Sequence, residues 1–267
     1  MADESPKRSP LIDTSVPHSA RIWNYWLGGK DNYPVDREAG DQYLRVYPGI
    51  VNIARNGRQF LRRSVRYLAG EAGVRQFLDC GTGLPTADNT HEVAQRVAPD
   101  SHIVYVDHDP LVLEQAKDLL TSTPEGATSY IQADLNDPAE ILGLASGGLD
   151  LDRPVALLFM GVLGHVDRYE DALSIVRTLM AGLAPGSYLA LYDSTDADAA
   201  LNQAQQEYDD TGAVPYRLRK PEQIKAYFDG LDVAEPGVVA CEDWRPETQT
   251  PGGSPRTSTL CGVGRKP

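Results

Sequence analysis

Three aspartates, Asp79, Asp107 and Asp134, each sit at or just beyond the end of a short apolar run. Asp79 opens the turn Asp79-Cys80-Gly81-Thr82-Gly83, a D-x-G-x-G pattern in which the missing side chains let the backbone approach a ligand closely. Asp107 follows 28 positions later, where a carboxylate can accept both hydroxyls of a ribose. In Ala133-Asp134-Leu135 a third carboxylate is placed to take the amino group of an adenine. Together they describe an adenosine site, with His108, Leu135 and Gly161 as its expected neighbours. Two cofactor classes use such a site. A dinucleotide fingerprint, G-x-G-x-x-G, aims helix N-terminal amides at a pyrophosphate. Here Thr86, preceded by Pro85, stands at the third glycine position, which breaks that version. Asp79 would repel a pyrophosphate and suits the positive amino or sulfonium end of S-adenosylmethionine. The turn therefore favours S-adenosylmethionine over a nicotinamide cofactor.

A further group follows the apolar run Val155 to Phe159, at Gly161-Val162-Leu163-Gly164-His165. His165 is the one candidate general base. A packed or capping histidine fits its position better, because following a strand does not establish reach to a proton. Asp109, before Pro110, is explained by helix N-capping alone.

The elements that must position these residues follow from periodicity. From Gln76 onward short apolar runs alternate with helical patterns, the mark of βαβ units on a parallel sheet. Strands are expected at Gln76 to Cys80, His102 to Val106, Thr128 to Gln132, Val155 to Phe159 and Tyr188 to Tyr192. Helices are expected from Thr90 to Ala98, after Asp109-Pro110 through Val112, Leu113, Ala116, Leu119 and Leu120, and after Asp167, where Glu170 completes a capping box. Beyond Asp193 the pattern predicts a helix near Ala197 to Tyr208, another opened by Pro221 and closed by Gly230, and two antiparallel strands, Val233 to Cys241 and Thr257 to Val263. Upstream, His18 to Tyr47 lacks a clean period and reads as a loop-and-helix cap. Arg55, Arg58, Arg62 and Arg66 lie beside an apolar stripe at Ile50, Ala54, Leu61, Val65 and Leu68, which predicts an amphipathic helix with the arginines on its wet face. The fold class is α/β, a doubly wound, mostly parallel sheet. Residues 1–14 are expected to be disordered or extended, 15–75 to form the cap, and 76–267 the Rossmann-like core.

The chain has 267 residues with a net charge of −13, unevenly spread: residues 1–75 carry 12 Lys+Arg against 8 Asp+Glu, the remainder 13 against 30. So acidic a body disfavours generic nucleic-acid binding. No apolar run is long enough to span a bilayer, and the polar start resembles no signal peptide, which predicts a cytoplasmic protein. Three dispersed cysteines, Cys80, Cys241 and Cys261, suggest reduced thiols, and without a C-x-x-C pair a structural metal is not expected.

The run Ala20-Arg21-Ile22-Trp23-Asn24-Tyr25-Trp26-Leu27-Gly28-Gly29-Lys30-Asp31-Asn32-Tyr33, followed by Asp36-Arg37, resembles the opening motif of a family of S-adenosylmethionine-dependent methyltransferases of largely unassigned substrate. Phe77 to Thr86, His91 to Gln95, Val104 to Pro110 and Trp244-Arg245-Pro246 are similar to the same family, so the resemblance covers nearly the whole chain. It implies a seven-stranded class I fold with an antiparallel last strand, and Asp79, Gly81, Asp107 and Asp134 as cofactor contacts, with Gly83 in the same turn. A third glycine common in class I turns is replaced at Pro85, a departure that is itself the narrower family's pattern. Gly28 and Gly29 either permit a tight turn or, with Tyr25, Asn32 and Tyr33, fold over the cofactor and its substrate as a lid. The expected activity is methyl transfer to a small-molecule acceptor. The alternative is a non-catalytic S-adenosylmethionine-binding sensor or interaction module, and the oligomeric state stays open.

Overall fold

The structure is a computed structural model that describes residues 13–85, 88–110, 112, 121–247 and 255–267. Three helices precede the first strand: α1 (Ser19–Trp26), α2 (Pro34–Val46) and α3 (Ile50–Gly70). Then follow β1 (Gln76–Cys80), α4 (Thr90–Val97), β2 (His102–Asp107), β3 (Ala127–Gln132), α5 (Pro138–Ala145), β4 (Ala156–Met160), α6 (Tyr169–Ala181) and β5 (Tyr188–Ser194). The chain ends through α7 (Ala199–Asp209), α8 (Pro221–Ala226), β6 (Asp232–Val233) and β7 (Thr259–Arg265). The strands form one sheet in the order β3-β2-β1-β4-β5-β7-β6. The first five run parallel, and β7 is antiparallel to both of its neighbours.

All five β1 residues are buried, as a strand covered on both faces requires. Side chains alternate between the faces. Leu78 and Cys80 join Leu157, Phe159 and Leu191 on one face, packed against Ile141 of α5, Leu179 of α6 and Ile224 of α8. Phe77, Tyr105, Leu158 and Tyr192 pack on the other, against Phe60, Leu61 and Leu68 of α3 and Val93 and Ala94 of α4. Asp79 and Asp107 share the parity of Phe77 and Tyr105, so they emerge on the α3 and α4 side.

The segment without a clean period folds into α1 and α2. With the first turns of α3 and with α7 they enclose a separate apolar cluster around Ile22, Trp26, Tyr43, Ile53 and Leu201. Thus α3 belongs to two cores, the cap cluster through its first half and the sheet through its second. Asp36 ties the cap together. Its carboxylate, fully buried, accepts from Arg21 Nε at 2.9–3.0 Å and from the backbone N–H groups of His18 (2.9 Å) and Tyr33 (2.8 Å).

Elsewhere the expected spans hold to within one or two residues, with three departures. The predicted strand Val233 to Cys241 shrinks to the two residues of β6. Pro236 and Gly237 turn the chain, and it meets β7 again only through the Val239 and Cys261 pair. The predicted capping box of Asp167 does not form: α6 is capped at Arg168, and Asp167 instead pairs with Arg217 at 2.8 Å. The predicted helix Pro221 to Gly230 ends at Ala226. The predicted helix through Val112 and Leu120 falls, apart from Pro110 and Val112, outside the described residues, as do Thr86 and the first twelve positions. Among the described residues no helix is long and apolar enough to cross a membrane.

Candidate functional site

Strand order reverses between β1 and its neighbours β2 and β4, and a cavity of about 410 Å³ opens beyond the carboxyl ends of β1 to β5. This is where an open parallel sheet binds its ligands. All of Asp79, Gly81, Gly83, Asp107, His108, Asp134, Leu135, Gly161 and His165 line it.

The turn after β1 is shaped by close approach. Gly81 has φ +73°, a left-handed conformation, and a side chain there would place its Cβ 2.2 Å from Val162 Cγ2. Its N–H bonds Val106 O at 2.8 Å, which draws the turn against the end of β2. Asp107 completes the junction: its carboxylate accepts from Gly83 N–H (3.0 Å) and Asp109 N–H (3.0 Å), and His108 Nδ1 lies 3.6 Å away. Asp134 is exposed at the rim, its Oδ1 accepting from the backbone and side chain of Asn136 at 2.9 Å. Tyr130 hydrogen-bonds Thr82 and stacks on Tyr105, closing the β3 side.

Asp79 is only 4% exposed. Burial pushes its carboxyl up to about 6, against the opposing pull of a 2.6 Å hydrogen bond from Thr90 Oγ1 and the positive charge of Arg58. Asp193, equally buried at the end of β5, is likewise raised to about 6 by burial. In the folded protein both groups hold their protons across the window from about pH 4 to 6, in which an unfolded chain releases them. Their contribution to stability is therefore present at the acidic end and lost as pH rises through 6. Urea denaturation at pH 4.5 and 6.5 is expected to show the loss shrinking when Asp193 is replaced by Asn.

His165 ends a single 3-10 turn, Leu163–His165, and is half-buried. Its Nδ1 lies 3.0 Å from Pro215 O. A carbonyl only accepts, so Nδ1 carries the proton and Nε2 keeps its lone pair. Burial lowers the imidazole pKa, which keeps the ring neutral. Tyr216 packs edge-on against it at 5.1 Å and donates its hydroxyl to Asp193.

Periodicity and motif reading missed several lining residues. Arg58 was expected on the wet face of α3, yet it turns into the cavity beside Asp79 and donates to Asn89 Oδ1 at 3.2 Å. The signal was present, since Arg58 lies four residues after Ala54 and three before Leu61, on the apolar stripe. Thr90 and Tyr192 were passed over as helix-start and strand residues, and His18 had no signal at all. His18 caps α1 through Nδ1 and reaches Asp109 Oδ2 with Nε2 at 2.9 Å, pinning the cap to the end of β2. Of the glycine-rich segment, Tyr25, Gly28, Gly29, Asn32 and Tyr33 stay outside the cavity wall, whereas Ala20, Trp23, Asn24 and Leu27 line it. Asn24 Oδ1 accepts from Asp31 N–H and Asn32 Nδ2, each at 3.0 Å, and Gly29 N–H bonds Asn24 O at 2.8 Å. Arg37 holds Asn32 from α2.

A seven-stranded sheet with an antiparallel last strand, helices on both faces and a cleft at its switch point defines a class I, Rossmann-like methyltransferase fold. Within that class the chain belongs to the S-adenosyl methyltransferase family, whose model matches residues 5–267, and its cofactor is S-adenosylmethionine. A DUF574 family protein from Streptomyces avermitilis is 45% identical, with a TM-score of 0.91 over 96% of this chain and 99% of its own. A candidate methyltransferase from Thermobifida fusca is 38% identical, with a TM-score of 0.89 over 98% and 99%. An S-adenosylmethionine-dependent methyltransferase from Anabaena variabilis shares the fold at 14% identity, with a TM-score of 0.52 over 98% and 100%. No curated protein matches the chain.

Proposed function

We propose that the cavity binds S-adenosylmethionine across the tips of β1, β2 and β3 and methylates a small-molecule acceptor entering from the cap side. The observation that carries this reading is the gathering of Asp79, Gly81, Asp107 and Asp134 around one cleft whose turn excludes any side chain at position 81. The donor set fits the cofactor. Asp107 retains lone pairs for ribose hydroxyls, Asp134 and Leu135 stand at the rim for the adenine, and the facing charges of Asp79 and Arg58 complement an ammonium and a carboxylate on one amino acid. When bound, S-adenosylmethionine supplies a methyl group already attached to a good leaving group. The chain's own residues are therefore left to bind, align and exclude water. His165 lines the cavity, and its unprotonated Nε2 takes the acceptor's proton. The Gly28 to Tyr33 turn acts as a clip that fixes α1 over the site through Asn24, in place of a lid. Residues 15–75 serve as the cap and 76–267 as the binding core. All three cysteines are free and buried, in keeping with a reducing, cytoplasmic setting. The acidic charge speaks for a small molecule over a nucleic acid.

Isothermal titration with S-adenosylmethionine and S-adenosylhomocysteine tests this reading, and no binding of either at millimolar ligand would refute it. The cationic cofactor prefers the Asp79 carboxylate, so below about pH 6 its affinity is expected to fall by up to about tenfold per pH unit. An affinity flat from pH 7 to 5 would remove Asp79 from the site. His165→Ala is expected to lower kcat about 10²- to 10⁴-fold while cofactor affinity stays unchanged. Unaltered turnover would sink the proton-accepting role.

A further inference from the structure

The cofactor half of the cavity leaves unexplained the half that lies under the cap, and its walls carry a consistent chemistry. Trp26, Tyr43, Ile50, Leu61, Leu201 and Tyr208, from α1, α2, α3 and α7, close it. An edge-to-face chain, Trp23 to Trp26 to Tyr43 to Tyr208, with ring centroids 5.1–5.8 Å apart, braces that wall, so it is preformed. Of the charged side chains that line the cavity, Asp107 and Asp134 are taken by the nucleoside and Arg58 and Asp79 by the amino-acid end of the cofactor, while His18 is engaged with Asp109 and His165 is neutral. An acceptor bearing a carboxylate or an ammonium would enter with no counter-ion to offset its desolvation.

A polar group on the cavity wall has no hydrogen-bond partner among the described residues. Tyr192, at the tip of β5 and 4% exposed, lines the cavity. Two glycines on different elements clear the space for its ring. A Cβ at Gly57, in the middle of α3, would stand 2.5 Å from Tyr192 Cζ, and one at Gly161, after β4, 2.8 Å from its hydroxyl oxygen. A glycine inside a helix is disfavoured unless packing demands it, and here the ring supplies that demand. Gly161 also has φ +72°, a conformation that a side chain would strain. Burial keeps the phenol protonated, hence a hydrogen-bond donor. His165, four residues beyond Gly161, offers the complementary acceptor, Nε2.

Resting on the proposed function, we infer that the acceptor is an uncharged, flat aromatic compound with a hydroxyl group, held by the aromatic wall, its oxygen accepting from Tyr192 and its proton facing His165 Nε2. A hydroxyl is the neutral group that both donates and accepts in this way. A phenolic one, with a pKa near 10, lies within reach of a neutral imidazole where an aliphatic alcohol does not.

Three probes sharing one ring system test the inference: 2-naphthol, 2-naphthoate and 2-naphthylmethylammonium, titrated by calorimetry into the full-length protein saturated with S-adenosylhomocysteine. The expected result is 2-naphthol binding at least tenfold tighter than either charged probe. Tyr192→Phe should weaken 2-naphthol about three- to tenfold without moving the Kd for S-adenosylhomocysteine, and Gly57→Val, which crowds the ring, should abolish probe binding. Equal or tighter binding of a charged probe, no probe binding to the loaded protein, or an unchanged 2-naphthol affinity in Tyr192→Phe would each overturn the acceptor class alone. Failure of S-adenosylhomocysteine itself to bind would overturn the function beneath it, and the acceptor class with it.

Discussion

Asp36→Ala is expected to destabilise the protein by about 3 to 5 kcal/mol, the usual loss when one partner of a buried ion pair is removed. Arg21 is 2% exposed, and with Asp36 gone its guanidinium keeps only the backbone oxygens of Asp13 and Val16. The same substitution releases the N–H groups of His18 and Tyr33, one at the start of α1 and the other at the start of α2. The damage should propagate to the site, since α1 carries Ala20, Trp23 and Asn24 into the cavity wall. Chemical denaturation monitored by tryptophan fluorescence checks the stability. Calorimetry with S-adenosylhomocysteine on the folded fraction checks the coupling. A loss under 1 kcal/mol would show that the cap does not depend on this pair. Asp36→Asn should fall between, because an amide oxygen still accepts from one backbone N–H while the charge is lost.

The second large effect is expected at Asp107, where alanine should weaken S-adenosylhomocysteine binding by about 1.5 to 3 kcal/mol, roughly 10- to 150-fold, through loss of charged hydrogen bonds to the ribose. Part of that loss comes from the protein itself. Gly83 N–H and Asp109 N–H both donate to this carboxylate, so its removal loosens the turn after β1 and the entry to the segment after β2 together. Asp107→Asn keeps one oxygen acceptor and should cost less. A change under threefold in the alanine variant would take Asp107 out of the binding site.

Much of the sheet was readable because parallel strands are punctuated by turns. β1 and β2 stand out as apolar runs bounded by Arg75 and Asp107, with Gly81 and Asp107 at their ends and Asp134 just beyond β3. The antiparallel β7 was legible for the same reason. The strand before it was not: Val238 and Val239 have strand character, but Glu235-Pro236-Gly237 breaks the ladder, so a run of β-branched residues became two residues of pairing and a turn. Asp167 shows a related limit, since a motif with capping spacing lost its acidic residue to an arginine 50 positions away. The cap had no period to read because its helices bury aromatic and polar residues together, with Arg21, Asn24 and Asp36 inside.

The linear order of residues specifies the strand tips and the carboxylates on them, because apolar periodicity and glycine turns act over a few neighbouring positions. Which side chains meet across the cleft is a long-range matter. Arg58 beside Asp79, Tyr192 between Gly57 and Gly161, and His165 braced by Tyr216 come from segments 21 to 135 positions apart, brought together by helix docking and sheet register. Those contacts depend on packing geometry that local spacing does not encode. They are also the ones that give the cavity its charge balance and its acceptor half.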